Sequence, residues 1–370
     1  MKKFFMKILF ESVLFLFIFF LPLHAGTVNN DIAMAFDLPS LVKSVRFPEP
    51  VYFCGSRVPL HEQQVKERLE KEMLLALWDR AQVVLWIKRS TKYFPHIEKI
   101  LKQQGLPDDL KYISVIESGL RPHAGSSRGA VGFWQFLRST GRHYGLRVDS
   151  KIDQRRNLFN STKAACSYFQ KLYKKFESWP LAAAAYNMGE NGLAKAIKGQ
   201  KLKEYYSLYL PLETQRYFLK AVAAKLIMEN NEKYGFKFSK EDFYPESVFD
   251  RVNIDSPTEI PLTVIAESAN TCFKEIKDMN PEIRGSYLCK GNNSILIPKG
   301  CAKGFKKRFS VLLKKWRVKN VKKFHLVKKG ENLSIIAKKY NISLASILMW
   351  NNLAIRSTIH PGDRVIITSQ

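Results

Sequence analysis

Cysteine is scarce in this chain, and the few residues present form no metal-binding pattern. No two cysteines have C-x-x-C spacing, and no histidine pair lies near them at zinc-finger spacing, which excludes a finger-type zinc site. Their number is odd, so at least one thiol has no partner within a monomer. A disulfide between Cys272 and Cys289 and a set of small buried thiols both remain open. The five cysteines are Cys54, Cys166, Cys272, Cys289 and Cys301.

Acidic side chains are also few. The chain of 370 residues has 33 Asp and Glu residues against 60 Lys and Arg residues, a formal net charge of +27. Such a charge favours contact with an anionic polymer or surface. Nucleic acid, anionic lipid and the acidic peptides of a cell wall all remain open as partners. The sequence shows no metal-ligand or cofactor motif, so we predict neither a metal nor a cofactor.

No apolar run has the full length of an ordinary membrane span. Three lysines precede an apolar stretch from Val13 to Leu23, which is about half the length that a spanning helix needs. This pattern predicts a secretory signal over residues 1–25, with an uncleaved N-terminal anchor as the alternative. No cysteine follows the apolar stretch, so a lipoprotein is not supported. We therefore predict export to the periplasm or cell envelope, no nucleic-acid partner, and membrane contact only through an uncleaved N-terminal segment.

Hydrophobic periodicity predicts a mainly α-helical N-terminal portion. Residues 26–90 are predicted to be a leader followed by one long amphipathic helix over residues 62–90, and residues 94–104 to be a separate helix. No run of alternating strands occurs between residues 62 and 230. We therefore assign residues 91–235 to one α-helical domain.

Glu117 is the sharpest candidate for catalysis. It lies in a predicted helix that starts after Pro107 and ends at Gly119, directly after the mostly apolar segment 112–116. A carboxyl group in apolar surroundings keeps its proton to higher pH, because its charged form is poorly solvated. A protonated carboxyl can supply the proton that the leaving oxygen of a glycosidic bond needs.

Glu117 opens a series of four short motifs. Each motif alone has an ordinary structural explanation, such as a tight glycine loop or a buried tyrosine. In chain order they are Glu117-Ser118, Gly132-Phe133-Trp134-Gln135, Ala185-Tyr186-Asn187 and Glu213-Thr214-Gln215-Arg216-Tyr217. Together they resemble the soluble lytic transglycosylase family, within glycoside hydrolase family 23. The similarity spans roughly Tyr93 to Met228.

The resemblance implies a fold, a reaction and residue roles. The fold would be mainly α, with a lysozyme-like catalytic domain. Glu117 would be the single acid/base in cleavage of the MurNAc-GlcNAc β-1,4 bond of peptidoglycan glycan strands, with formation of 1,6-anhydromuramic acid. The motif residues that would bind substrate are Ser118, Gln135, Tyr186, Asn187 and Glu213.

A single carboxylate requires a nucleophile that belongs to the substrate. No Asp or Glu occurs between Ser118 and Val148, whereas a two-carboxylate hydrolase needs a second acid. In the family, the muramyl 6-hydroxyl closes onto the anomeric carbon, and a tethered nucleophile has a high effective concentration. Two alternatives stay open: a hydrolytic muramidase on the same scaffold, and a non-catalytic peptidoglycan-binding scaffold.

Residues 324–368 show the order strand, helix, helix, strand. Motifs at residues 330–333 and 361–363 resemble those of a LysM domain, which implies a small βααβ fold that binds N-acetylglucosamine-containing glycans. Asn332 stands where threonine is usual, so we expect a different helix cap.

The segment between the two domains is less distinctive. Residues 255–300 are predicted to be a possible degenerate LysM-like module that ends in a strand at Ser294 to Pro298. Residues 301–323 are predicted to be a basic linker, either solvated or forming a positively charged helix face. From Lys299 to Lys329 there is no Asp or Glu, which favours adhesion to anionic cell-envelope polymers.

Overall fold

The computed structural model describes residues 39–319 and 324–367, which contain three hydrophobic cores in chain order. We call residues 51–236 the helical domain, residues 249–319 the middle domain and residues 324–367 the C-terminal domain. The predicted signal or anchor, residues 1–25, lies outside the described residues. Within the described ranges, no helix combines the length and the apolar character required to cross a bilayer.

The helical domain is built around its last long helix. Its α-helices, with a short one before the domain, are α1 (Leu41–Ser44), α2 (Gln63–Trp78), α3 (Arg80–Gln103), α4 (Lys111–Ser118), α5 (Arg138–His143), α6 (Leu158–Phe176), α7 (Trp179–Met188), α8 (Glu190–Gln200) and α9 (Leu212–Glu229). A two-residue hairpin, β1 (Tyr52–Phe53) and β2 (Ser56–Arg57), precedes α2. Helix α9 buries side chains over most of its circumference and packs against α2, α4 and α7, as expected of a core helix.

The predicted helix boundaries between residues 62 and 104 are wrong. Helix α2 ends at Trp78, and α3 then runs without a break to Gln103, with Pro95 inside it. The break is local, because the Asp79 side chain accepts a hydrogen bond from the backbone N–H of Gln82 at 3.1 Å and caps α3. Apolar residues recur at helical spacing on both sides of this cap, so periodicity alone does not reveal it. The predicted domain boundary at residues 90–91 therefore falls inside α3.

Part of the predicted leader also belongs to the helical core. Val51, Phe53, Val58 and Leu60 are buried, and the Phe53 ring meets Phe218 of α9 edge-to-face with 5.1 Å between ring centroids. Burial of one such side chain contributes about 1.5–3 kcal/mol. Residues 51–60 are therefore part of the helical core and are held against α9, whereas the sequence predicted an extended leader there.

The middle domain places two helices between two long antiparallel strands. Its elements are β3 (Phe249–Ser256), β4 (Ile260–Pro261), α10 (Leu262–Ser268), α11 (Phe273–Met279), β5 (Tyr287–Leu288), β6 (Gly291–Pro298) and α12 (Phe305–Lys319). Strands β3 and β6 pair along their whole length, from Phe249 opposite Pro298 to Ser256 opposite Gly291. Strand β3 was not predicted, so this unit begins before the expected residue 255. All five cysteines lie in the described residues and are free, so no Cys272–Cys289 disulfide is formed.

Much of the predicted basic linker is helix α12. Its apolar side packs against α10, and Phe305 is only 4% exposed. Of the two sequence-based alternatives, the solvated linker and the charged helix face, residues 305–319 adopt the second.

The middle domain docks onto a loop of the helical domain. Ile152 is buried in the middle-domain core and forms a β-bridge with Ile283. The backbone N–H of Asp153 donates to the carbonyl of Glu282 at 2.8 Å, and Asn157 Nδ2 donates to Glu282 Oε1 at 2.8 Å. Backbone and side-chain contacts thus join the two domains at the segment that precedes α6.

The C-terminal domain has the predicted βααβ order. Its elements are β7 (Phe324–Leu326), α13 (Leu333–Lys339), α14 (Leu344–Asn351) and β8 (Arg364–Ile366), with β7 antiparallel to β8. Asn332 caps α13, because its Oδ1 accepts from the N–H of Ile335 at 2.9 Å. The expected fold class, a mainly α domain followed by a small βααβ domain, is confirmed.

Candidate active site

Glu117 is held at the end of a short, sharply terminated helix. As predicted, α4 follows Pro107 and stops at Gly119, which has a positive φ of 59°. The Gly119 N–H bonds to the carbonyl of Val115 at 2.7 Å, and a Cβ at Gly119 would lie 2.6 Å from Gln82 Nε2. Glycine adopts this left-handed conformation without strain and leaves room for the Gln82 side chain of α3.

The carboxyl group of Glu117 is protonated more readily than an ordinary glutamate. Burial raises its pKa from 4.5 to about 7, against opposing effects of a hydrogen bond from Tyr217 and the charge of Lys220. The neighbouring charge of Glu213 raises the pKa further. Tyr217 Oη donates to Glu117 Oε1 at 2.5 Å, which leaves Oε2 to carry a proton. A carboxyl group that titrates near neutrality can act as an acid and then as a base.

Glu117 lies where three cavities meet. The largest, about 830 Å³, extends toward α6 and α7 and is lined by Gln135, Tyr186, Asn187 and Glu213. The others, about 340 and 400 Å³, extend toward α2, α3 and α9. We call the three together the cleft. The cleft therefore offers space on more than one side of the Glu117 carboxyl group.

Gln135 lies on a tight loop that is fixed from behind by Arg155. Gln135 has a positive φ of 47°, and its Nε2 donates to the carbonyls of Ala124 and Gly132. Arg155 Nη1 donates to the carbonyls of Gly129 and Phe136, at 2.9 and 3.0 Å. This guanidinium group therefore holds both ends of the loop that forms one wall of the cleft.

The orientation of Arg155 is set by a buried carboxylate. Arg155 Nε donates to Asp153 Oδ1 and Arg155 Nη2 donates to Asp153 Oδ2, both at 2.8 Å. Both side chains are almost fully buried. The backbone of Arg155 also passes close to Gly132 of this loop. A Cβ at Gly132 (φ 87°) would lie 1.9 Å from the carbonyl oxygen of Arg155. The Gly-x-x-Gln motif thus has its glycine because the backbone of residue 155 passes there.

The wall next to this loop is formed by Tyr186 and Asn187 at the end of α7. Tyr186 Oη donates to the carbonyl of Trp134 at 2.7 Å, and its ring stacks on Phe169 with 4.6 Å between centroids. Asn187 Oδ1 accepts from Thr214 Oγ1 at 2.8 Å. These contacts hold Tyr186 and Asn187 in place beside Glu117.

Ser118 differs from the other predicted substrate-binding residues. Its side chain is buried, and its Oγ donates to the carbonyls of Ser114 and Phe133 at 3.0 and 2.9 Å. These bonds tie the end of α4 to the loop that carries Gln135. Ser118 therefore supports the geometry around Glu117, whereas Gln135, Tyr186, Asn187 and Glu213 line the largest cavity.

Sequence reasoning missed several residues of the site. Tyr217 lies in the last of the four motifs but is not among the predicted site residues, although its hydroxyl donates a hydrogen bond directly to the Glu117 carboxyl group. Glu72 of α2 lines the cleft and forms a two-point ion pair with Arg216. No local signal identifies Glu72, because it occurs in a helix outside the recognised motifs.

A second carboxylate also lines the cleft. Glu213 is exposed there and accepts a hydrogen bond from Asn187 Nδ2 at 3.4 Å, whereas Glu72 is occupied by Arg216. Among the described residues, no group of three or more His, Cys, Asp or Glu side chains is arranged to hold a metal ion. The cleft therefore offers one acid that titrates near neutrality, the exposed carboxylates Glu213 and Asp79, and polar groups suited to hydroxyls and amides.

Comparison with known proteins identifies the two domain families. Residues 94–208 match the Transglycosylase SLT domain, and residues 325–368 match the LysM domain. Both resemblances found in the sequence motifs are confirmed. The middle domain lies between the two matched segments.

Two curated relatives cover different shares of the chain. Membrane-bound lytic murein transglycosylase D of Escherichia coli strain K12 is 32% identical over 294 residues, which cover 75% of this chain and 64% of the relative. A putative tributyltin chloride resistance protein of Alteromonas sp. strain M-1 is 30% identical over 123 residues, covering 32% of this chain and 59% of the relative. The chain thus spans less than two thirds of the length of either relative.

A solved structure that the comparison found is the 70 kDa soluble lytic transglycosylase from Escherichia coli. Its TM-score is 0.34 at 17% sequence identity, and the match covers 51% of this chain and 32% of that one.

Proposed function

We propose that this chain is an exported peptidoglycan lytic transglycosylase, with Glu117 as its single acid/base. The observation that carries the proposal is the partly buried carboxyl group of Glu117, whose pKa is raised to about 7 and which lies where the three cavities of the cleft meet. The match of residues 94–208 to the Transglycosylase SLT domain supports the same reaction class.

The proposed reaction begins with protonation of the glycosidic oxygen between N-acetylmuramic acid and N-acetylglucosamine. Glu117 Oε2 supplies the proton as the bond breaks, while Tyr217 stabilises the developing carboxylate by donating to Oε1. The carboxylate then removes the proton of the muramyl 6-hydroxyl, whose oxygen bonds to the anomeric carbon. The product is 1,6-anhydromuramic acid, Glu117 is protonated again, and no water is consumed.

Glu213 is the residue on which the hydrolytic alternative can be tested. Two-carboxylate glycosidases use a second Asp or Glu as nucleophile or as the base that activates water. Two exposed carboxylates line the cleft with Glu117, and one of them, Asp79, caps α3 by accepting from the N–H of Gln82. A muramidase on this scaffold would therefore depend on the other, Glu213. In the transglycosylase, Glu213 instead raises the pKa of Glu117 and accepts from Asn187.

Mass spectrometry of the muropeptides released from purified sacculi separates these reactions. Anhydromuramyl products from the wild type and from Glu213→Gln, with none from Glu117→Gln, support the transglycosylase. Reducing-end products, which carry one additional water and disappear in Glu213→Gln, would establish the muramidase. Glu232→Gln removes one exposed carboxylate of the same domain outside the cleft and is the matched control. Binding without any product would favour the non-catalytic scaffold.

The C-terminal domain is proposed to retain the enzyme on its polymeric substrate. Its LysM match and its βααβ fold support binding to N-acetylglucosamine-containing glycan. The printed name of the Escherichia coli relative, a membrane-bound murein transglycosylase, supports a place in the cell envelope.

A further inference from the structure

The solvent face of α12 carries positive charge that nothing in the described structure neutralises. Two basic groups nearby are already engaged, Lys299 with Asp250 and Arg308 with the carbonyls of Ser268 and Cys301. The exposed basic side chains that form no ion pair within the described residues are Lys303, Lys306, Lys307, Lys314, Lys315 and Arg317. Since residues 299–329 contain no Asp or Glu, no acid on this segment offsets them.

The orientation of this face is fixed by the core of the middle domain. Phe305 is buried, Phe309 stacks on it with 5.6 Å between ring centroids, and Leu312, Leu313 and Trp316 pack against the same core. The opposite side of the helix is therefore held toward solvent. An ordered array of cations costs less entropy to bind than one on a flexible chain.

Two valines interrupt the basic face. Val311 and Val318 are 48% and 70% exposed, and they share one face with Lys307 and Lys314 at helical spacing. A soluble polyanion gains little from exposed valine. A lipid interface accommodates both residue types, because lysine stems extend along apolar surface while their ammonium groups reach the headgroups, and valine methyls enter the acyl boundary.

We propose that this face of α12 docks onto an anionic phospholipid bilayer. The sequence alone predicted membrane contact only through the N-terminal segment, so the structure adds a second point of contact on a folded domain. Each lysine close to an anionic membrane surface raises binding about fivefold, and this attraction weakens as salt screens it. The inference does not depend on the proposed catalytic activity.

Lysine acylation footprinting of the full chain tests the docking residue by residue. With vesicles of phosphatidylglycerol and phosphatidylcholine, we expect Lys307 and Lys314 to lose reactivity, whereas vesicles of phosphatidylcholine alone leave them reactive. Lys195 and Lys198 of α8 remain reactive in both mixtures. Because acylation is measured at individual lysines of α12, membrane binding through the N-terminal stretch would not by itself protect them. Unchanged reactivity of Lys307 and Lys314 on the anionic vesicles overturns the proposal.

Charge variants measure the contribution of the face. Replacing four lysines of α12 with glutamine, K306Q, K307Q, K314Q and K315Q, should reduce the ratio of binding to anionic over neutral vesicles by about 100-fold or more. The matched control removes the same charge from exposed lysines elsewhere, as K174Q, K195Q, K198Q and K201Q, and should leave the ratio unchanged. Equal losses in both variants would mean that net charge alone drives binding and would overturn a docking surface.

Valine variants distinguish lipid from soluble polyanion. V311S with V318S should lower binding to anionic vesicles several-fold and leave binding to inorganic polyphosphate unchanged. Vesicle binding that is indifferent to both substitutions would assign the face to soluble polyanions and refute the lipid assignment.

Discussion

The replacement Glu117→Gln tests two properties of the carboxyl group: its role in catalysis and its destabilising effect on the folded protein. The pKa of Glu117 is raised from 4.5 to about 7, so the folded protein keeps a proton that the unfolded chain releases between these values. The unfolded state binds fewer protons in this window, and stability therefore falls as pH rises through it. The raised pKa lowers the free energy of unfolding by about 3 kcal/mol near pH 7, and this loss nearly vanishes near pH 4.5.

Glutamine removes the titration and keeps the shape. In the wild type, Tyr217 Oη donates to Glu117 Oε1 at 2.5 Å, and the amide oxygen of a glutamine can accept the same hydrogen bond. We expect Glu117→Gln to lose about 10²–10⁴-fold or more in glycan cleavage, since general acid catalysis contributes this much. We also expect its thermal midpoint to exceed that of the wild type by about 6–10 °C at pH 7–8 and to match it near pH 4.5.

Two assays on the same protein preparation check this prediction. Muropeptide release from sacculi measures activity, and calorimetry between pH 4.5 and 8 measures the difference in thermal midpoint. Glu232→Gln should change neither quantity, because this exposed residue lies outside the cleft. A variant that still cleaves sacculi, or a midpoint difference that is constant with pH, would refute the reasoning.

Three further outcomes are expected. Tyr217→Phe removes a hydrogen bond that lowers the pKa of Glu117, so the alkaline limb of the pH–rate profile should move to higher pH while activity at the optimum falls; an unmoved limb would contradict this. Arg155→Met removes the hydrogen-bonded guanidinium group of buried Asp153, which keeps only a 3.8 Å contact to Arg156, and should destabilise the fold by about 3 kcal/mol in denaturant titration, whereas a loss below about 1 kcal/mol would show that the pair is dispensable. Deletion of residues 324–370 should weaken co-sedimentation with sacculi without abolishing cleavage, and unchanged sedimentation would argue against glycan binding there.

Local patterns predicted the helix that carries Glu117 and the βααβ order of the C-terminal domain. A helix start, a glycine stop and an apolar periodicity are properties of residues within a few positions of one another, and they can be read without knowing the fold. The same kind of pattern failed at Asp79, because one capping residue divides two segments of identical periodicity. It also missed β3, whose pairing with β6 depends on residues about forty positions away.

The sequence by itself determined which side chains are available for chemistry: one glutamate in an apolar segment, followed by ordered Gly-x-x-Gln, Ala-Tyr-Asn and Glu-Thr motifs. Only the tertiary structure decided what those side chains can do. The hydrogen bond from Tyr217 to Glu117 joins residues 100 positions apart, and the hold of Arg155 on the Gln135 loop requires a buried carboxylate at Asp153. Desolvation and hydrogen bonding are set by every group that surrounds an atom, and those groups come together only when the chain has folded.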